Sequence, residues 1–410
     1  MCLTADRISS PLAAFANPDS KHFSFMLNKE SSTGSSEHRH LSVMHLFRTP
    51  VGGLFRHVCD LAREQCARGL DVGIVCDSST ADDFSNSMLA RLAADCRLGV
   101  HQLPIRRTPG LSDVAAVRQI RRIAGAARPA LLHGHGAKGA AYARMIAHRI
   151  GAKALYTPHG GSLHYSFDTL VGRLFLSIER LLRNRTDGFI FESDYSCRAY
   201  QERVGKLTRP FRVIHNGLFE SEFDRPATAN PEFDFVFIGE LRALKGINVF
   251  LDAISSVSKE HKISVLIVGN GELEEDVRSR IAEPDLARST TWSCAVHPAS
   301  AVFAKARCIV CPSLAESLPY IILECLAAGT PVLATDVGGI SEIFGKSAER
   351  LLPPGNAKVL ATAMRQFLAD PAEAERNARA LRDHVRQHFL VSQMADATID
   401  FYREITLETS

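Results

Sequence analysis

The sequence predicts an α/β protein built from two doubly wound parallel sheets that face each other across a cleft. Three observations carry this. Short apolar runs alternate with longer amphipathic segments, the beat of strand, crossover helix and next parallel strand. That beat breaks once, at RVIHNGLFESEFDRPATANPEF, and then restarts. At 410 residues the chain also exceeds one ordinary core, since a domain takes on the order of 150 residues.

In chain order, residues 1–40 are rich in Ser, Asn and His (NKESSTGSSEHRH), show no period, and are expected to be a disordered or loosely packed tail. Residues 41–220 form the first unit. LSVMHLF reads as a strand, followed by a glycine turn, the helix HVCDLAREQCARG and the strand DVGIVCD. PALLHGHG and the helix AKGAAYARMIAHRIG come next, then the strands KALYTPHGG and DGFIFES. Asn216-Gly217 and then Pro226, Asn230 and Pro231 mark the hinge. Residues 221–390 form the second unit, with strands in DFVFIG, ISVLIVGNG, ARCIVCPS and PVLAT and a helix in ALKGINVFLDAISSVSKE. Residues 391–410, around SQMADATIDFYREI, are expected as a terminal helix that crosses back to the first unit. Open α/β sheets bind ligands beyond the carboxyl ends of their strands, which here is the cleft.

Composition excludes several classes. A formal charge of +3 and a pI near 8.3 are too mild for a nucleic-acid partner, which calls for a concentrated basic face. No run approaches the ~18 continuous apolar residues of a membrane span, and Asp6, Arg7 and Pro18 stand where a signal peptide would be basic and then apolar. A cytoplasmic protein is expected. The ten cysteines are scattered singly, as reduced core residues are. The CxxC at Cys308 and Cys311 falls in a strand, where positions three apart face opposite sides, so packing is expected rather than metal or redox chemistry.

The stretch CPSLAESLPYIILECLAAGTPVLATDVGG, Cys311 to Gly339, carries the chemistry. CIVC reads as a strand ending at Pro312. Pro319 suits the first turn of a helix that stops at Gly329, with Ser317 as its N-cap. Free amides at this start, around Ser317, Leu318 and Pro319, of which the proline itself has no N–H to give, suit a pyrophosphate. Glu324 inside the helix is placed to accept two hydrogen bonds from a ribose diol, and Glu316 in the loop to bind hydroxyls of a second ring beyond the phosphates. One ligand meets all three demands, a nucleotide-diphosphate sugar.

PSLAESLPYIILECLAAGTPVLATDVGGISE resembles the E-x7-E donor signature of the retaining glycosyltransferase family 4, of GT-B fold, and the likeness runs over roughly residues 41–405. The resemblance implies metal-independent, retaining sugar transfer, with Glu316 contacting the donor sugar and Glu324 holding the ribose. It also implies that the leaving phosphate helps deprotonate the acceptor, so that no dedicated carboxylate base is needed.

Other positions follow from the same cleft. Arg242 and Lys245, in FVFIGELRALKG, follow the first strand of the second unit and would neutralise the diphosphate. Lys245-Gly246 matches the family, whereas Glu240 stands where many members have arginine. Gly52 and Gly53 would let backbone approach a phosphate or sugar. Gly269 and Gly271 resemble a family turn near the base, and Asn216 the family's N-G before the crossover. His159, in ALYTPHGGS, resembles the family histidine near the reacting sugar. His135 and Lys138 have two readings side by side, an acceptor-phosphate contact or an ordinary helix start. Arg173, Arg180, Arg183 and Arg185 lie around an apolar stripe that reads first as a surface helix with a buried face, and second as a rest on anionic lipid. Neither half has a D-x-D run for a divalent ion, so no metal and no cofactor are expected.

The expected function is sugar transfer from a nucleotide-diphosphate sugar to a hydroxyl of a saccharide or lipid-linked saccharide, in polysaccharide or glycolipid synthesis, in the cytoplasm or at the cytoplasmic face of the inner membrane. The alternatives are an epimerase or hydrolase of the same fold, and a non-catalytic nucleotide-sugar-binding protein.

Overall fold

The computed structural model describes residues 41–160, 169–224, 231–296 and 298–407. The tail at 1–40 and the hinge positions Pro226 and Asn230 lie outside them. In chain order the first half holds β1 (Ser42–Leu46), α1 (Gly52–Ala67), β2 (Asp71–Asp77), α2 (Asp83–Ala93), β3 (Val100–Leu103), α3 (Leu111–Ala127), β4 (Leu131–His135), α4 (Gly136–Ile146), β5 (Lys153–Thr157), α5 (Leu170–Arg183), β6 (Gly188–Phe191), α6 (Asp194–Arg203) and β7 (Phe211–Val213). The second half holds β8 (Phe233–Ile238), α7 (Ile247–Ser258), β9 (Val265–Val268), α8 (Glu274–Ile281), β10 (Thr290–Ser293), α9 (Ser300–Phe303), β11 (Ala306–Cys311), α10 (Tyr320–Ala327), β12 (Val332–Ala334), α11 (Ile340–Phe344), α12 (Ala357–Ala369), α13 (Pro371–His388) and α14 (Val391–Leu407).

The strands form two sheets, ordered β3-β2-β1-β4-β5-β6-β7 and β10-β9-β8-β11-β12, with parallel pairing throughout. Strand order reverses between β1 and β4 in one sheet and between β8 and β11 in the other. Such switch points open a crevice at the carboxyl ends of the strands. Apolar side chains fill both faces, as buried parallel sheets require. Cys308 and Cys311 belong to cores on opposite faces of the second sheet, which rules the pair out as joint ligands. Helix α14 lays Met394, Ile399, Phe401 and Tyr402 into the core of the first sheet with Val43, Leu131 and Ile190.

Three local details differ from the sequence reading. Helix α1 begins at Gly52, with Val51 as N-cap, so the glycine pair opens the helix instead of preceding it. Residues 243–260 are not one helix: a 3-10 turn, Ala243–Lys245, ends at Gly246 in the left-handed region (φ 71°), and α7 starts afresh. Helix α10 is capped by Pro319, not Ser317.

Candidate functional site

Two polar centres lie at the two switch points. In the second half, the turn after β8 packs so closely on the loop after β11 that a Cβ on Gly246 would fall 1.9 Å from the Pro312 carbonyl oxygen. Only glycine fits there, and the fit delivers Lys245 to Glu316. Lys245 Nζ donates to Glu316 Oε1 at 2.6 Å, and Ser313 Oγ donates to the same oxygen at 2.7 Å. Gly338 (φ 63°) presses on the Glu316 carbonyl, whose oxygen would lie 2.2 Å from a Cβ there. Arg242 is less committed. Its Nε lies 3.2 Å from Glu240 Oε2 but is not aligned for a hydrogen bond, and its side chain is 39% exposed.

Glu324 faces the first half. There Arg56 of α1 donates to Glu324 Oε1 through Nη1, to Glu222 Oε1 through Nη2 (2.6 Å) and to Asp60 Oδ2 through Nε (3.2 Å), with its guanidinium 4.8 Å from the centre of the Tyr320 ring. Arg56, Glu222 and Glu324 line a cavity of about 100 Å³, open to solvent, together with Pro298, Ser300 and Phe303. Burial pushes the Asp60 carboxyl up to about 6, because Glu222 beside it offsets part of the help from Arg56.

The loop between the two glutamates is tied to the first half. Ser317 Oγ donates to Glu192 Oε2 (3.1 Å), and Asn216 Nδ2 donates to the carbonyl of the buried Leu318 (2.8 Å). Glu342 accepts from the Asp194 and Tyr195 amides at the start of α6, both at 2.9 Å, and from His215 (3.0 Å). Those bonds hold its carboxyl below the usual range against the upward push of burial. Gly53 lies against Tyr320, 3.6 Å from a Cβ built on it, while Gly52 has open space. Gly269 and Gly271 pack on the backbone of Gly239 and Leu241, and the Gly269 carbonyl accepts from Trp292 Nε1 at 3.1 Å.

The second centre is a cluster of histidines at the β1/β4 switch point. Gln65, His45, His135, His159 and Glu192 form one chain of hydrogen bonds: Gln65 Oε1 to His45 Nε2 (2.8 Å), His45 Nδ1 to His135 Nε2 (2.9 Å), His135 Nδ1 to His159 Nε2 (3.0 Å) and His159 Nδ1 to Glu192 Oε1 (2.7 Å). His57 Nδ1 pairs with Asn216 Oδ1 at 2.9 Å. Burial drives His45 down to about 4 and His57 to about 3, so both are neutral at pH 7. Burial pushes Glu192 up, yet His159 beside it holds the carboxylate below its usual range.

In the ligand-free protein both ring nitrogens of His159 are engaged, by His135 and Glu192. His135 is buried, and Lys138 Nζ is held by Asp113 Oδ1 (2.6 Å) and the Thr108 carbonyl (3.2 Å). On α5, Arg180 and Arg183 donate to carbonyls of Arg203, Val204 and Lys206, while Leu174 and Leu181 are exposed. Among the described residues no helix is long and apolar enough to cross a membrane.

Sequence reasoning missed Arg56, His57, Glu192 and Glu222. Arg56 and His57 carry a weak signal, one turn beyond the glycine pair at a strand-to-helix edge. Glu192 and Glu222 carry none, because their partners lie 33 and 166 positions away.

Comparison with known proteins agrees with the two-sheet fold. The family model Glycosyltransferase Family 4 matches residues 51–220, and Glycosyl transferases group 1 matches residues 232–370. A glycogen synthase of Mycobacterium tuberculosis is 26% identical over 379 residues, 86% of this chain and 91% of that protein. An alpha-maltose-1-phosphate synthase of the same organism is 32% identical over 186 residues, 42% of this chain and 47% of its own. Among solved structures, HepE of Anabaena in complex with UDP-glucose superposes with a TM-score of 0.75 at 18% identity, over 89% of this chain and 100% of that one.

Proposed function

Since the chain is a glycosyltransferase of the GT-B fold, related to the group 1 and family 4 enzymes, we propose that it transfers a hexose, with retention, from a nucleotide diphosphate to a saccharide or lipid-linked saccharide. Glu324 reads the ribose, Glu316 the transferred sugar, and Lys245 with Arg242 takes the diphosphate charge, aided by the amides at the start of α10. No divalent ion bridges the phosphates in this reading. The observation that carries it is the meeting of Lys245 with Glu316 at 2.6 Å across 71 positions of sequence, on the edge where Glu324 faces a cavity lined by both halves.

In the ligand-free protein Lys245 neutralises Glu316. A donor would exchange that contact, the ammonium turning to phosphate while the carboxylate turns to sugar hydroxyls, so neither charge is left alone during the exchange. The UDP-glucose held by the Anabaena neighbour makes a uridine-diphosphate hexose the first donor to test. Exposed Leu174 and Leu181 beside Arg173 and Arg185 support a peripheral contact with an anionic membrane face, where a lipid-linked acceptor would be met.

The test is a thermal-shift panel of nucleotide sugars on the native protein, Glu324→Ala and Lys245→Ala. The native protein is stabilised by one donor class and both variants lose the shift. Equal stabilisation of all three would remove these residues from the site. With an acceptor found, the anomeric configuration of the product, read by NMR, tests retention. Free sugar or an epimer formed without acceptor would favour hydrolysis or epimerisation.

A further inference from the structure

Resting on the reading of the chain as a transferase whose acceptor enters against the first half, we propose that this acceptor carries a phosphate group, held by Arg48 and Arg107 at the carboxyl edge of the first sheet. Arg48 stands two residues beyond β1, and Arg107 four beyond β3. Asp77, the last residue of β2 between them, joins the two turns. Its amide donates to the Arg48 carbonyl (2.9 Å), and its Oδ1 accepts from the amide of Ile105 (2.7 Å), two residues before Arg107. The neighbouring strands β3, β2 and β1 thus bring both arginines to one rim.

These cations are held together without a protein counter-ion. Among the described residues neither guanidinium takes part in a hydrogen bond or an ion pair. Burial pushes Arg48 below the ordinary arginine value, the charge of Arg107 pushes it the same way, and Asp77 opposes both. The Asp77 oxygens are already occupied, by Ser79 Oγ (2.7 Å), Thr80 Oγ1 (2.8 Å) and the Ile105 amide. Like charges side by side repel, and an anion between them relieves the repulsion. A phosphate monoester has three terminal oxygens and meets two guanidinium forks at once, whereas one fork satisfies a carboxylate.

The rim also holds the backbone around Arg107 in place. Lys138, on α4, donates to the carbonyls of Arg106 and Thr108, on either side of Arg107, and to Asp113 Oδ1 (2.6 Å), which accepts from Tyr142 as well. Lys138 and Asp113 therefore neutralise each other, and the lysine serves to position the loop. Arg107 itself stays exposed. A cation on a loop already ordered loses less freedom when a ligand arrives.

Position relative to the donor side fits an acceptor. Gly53 is five residues on from Arg48 and packs on Tyr320, the first residue of α10. Five residues of chain span at most about 17 Å, so a short phosphorylated saccharide anchored at Arg48 can bridge to the helix whose start is proposed to hold the donor. The arginine pair belongs to the first half and is separate from Arg242 and Lys245, which take the donor's diphosphate in the second.

The test is a thermal-shift titration of the full chain with UDP at saturation, so that the donor's phosphate contacts are already filled. The probes are inorganic phosphate, glucose 6-phosphate, geranyl phosphate, glucose and glucuronate. At least one phosphate probe should raise the melting temperature further, and glucose and glucuronate should not. A response to glucose 6-phosphate alone marks a soluble sugar phosphate, and one to geranyl phosphate alone a lipid-linked acceptor. Arg48→Gln and Arg107→Gln should each weaken the active probe ~10- to 150-fold, the worth of one charge-assisted contact, and their retained UDP shift shows that they fold. Arg97→Gln, which loses an exposed pair with Asp71 at the opposite edge of the sheet, is the control and should change neither shift. Phosphate binding that survives both substitutions, an equal response to glucose or glucuronate, or no response to any phosphate probe overturns the proposal. A native protein without a UDP shift overturns instead the transferase reading, and the arginines are then judged by the phosphate probes alone.

Discussion

Arg144 and Arg56 both belong to helices of the first half, and both hold a glutamate. Arg144 of α4 gives Nη1 and Nη2 to the two oxygens of Glu179 (2.9 and 3.1 Å) and Nε to the Ala140 carbonyl (3.0 Å), with its guanidinium 4.4 Å from the centre of the Tyr156 ring. Neither side chain of this pair is more than 4% exposed. Arg56 divides itself among three carboxylates drawn from both halves and keeps 23% of its side chain in solvent. The first arrangement uses each of the three guanidinium nitrogens once and is buried. The second has surplus negative charge, a solvent path and a partner on the far side of the cleft, so its contacts are exchangeable. What separates a structural ion pair from a site is therefore not the residue types but whether all partners come from one wall.

The contrast is broken most severely at the buried pair. Glu179→Ala leaves the Arg144 guanidinium enclosed without its counter-ion, and breaking such a pair costs about 3–5 kcal/mol. Urea denaturation should show the loss as a lower midpoint. Replacing both partners by apolar residues of similar volume should recover much of it. A loss below about 1 kcal/mol, the ordinary worth of an exposed pair, would place Arg144 and Arg56 in the same class.

Much of this was legible in the sequence, and for an identifiable reason. The strand-to-helix edge at Pro312–Tyr320 announces itself locally, through a proline, two carboxylates and a glycine stop within twenty-odd positions. Lys245 was legible because it follows a strand in the second unit. The role of Gly246 as a contact surface was not, since that depends on Pro312, which is far off in sequence. His159 was legible as a strand-end residue, but its partners His135 and Glu192 were not. A strand-end histidine reads as ligand-facing until four more imidazoles are brought around it by β1, α1 and β4. Ser317 looked like a cap because serine usually is one, yet its hydroxyl is used across the cleft on Glu192.

A second, smaller effect tests the surplus negative charge around Arg56. Asp60 titrates at about 6 in the folded protein against an ordinary 3.8. Between those values the folded state binds the extra proton, so stability falls as pH rises from about 4 to 6, by at most about 3 kcal/mol from this group. Below 4 and above 6 its contribution is level. Asp60→Asn, which stays neutral, should remove this component, so that the stability difference between variant and native protein grows with pH across that window and is flat outside it. A difference that does not change with pH would mean that Arg56 fully compensates Asp60.

The smallest expected change in stability is the most informative about the cleft. Arg56→Ala removes a quarter-exposed cation, and such a loss costs the fold about 1 kcal/mol. Its effect on donor binding should be larger. Without Arg56, an incoming diphosphate meets Asp60, Glu222 and Glu324 uncompensated, and loss of a charge-assisted contact of ~1.5–3 kcal/mol corresponds to a ~10- to 150-fold weaker donor. The opposite sign has its own logic, because Arg56 occupies the carboxylate proposed to hold the ribose and its removal would free Glu324. A double-mutant cycle with Glu324→Gln separates the two. If Arg56 serves as the compensating charge, the single variant binds donor more weakly and Glu324→Gln in that background recovers part of the loss. Tighter donor binding by Arg56→Ala alone would instead identify the Arg56–Glu324 contact as a latch that the nucleotide must open.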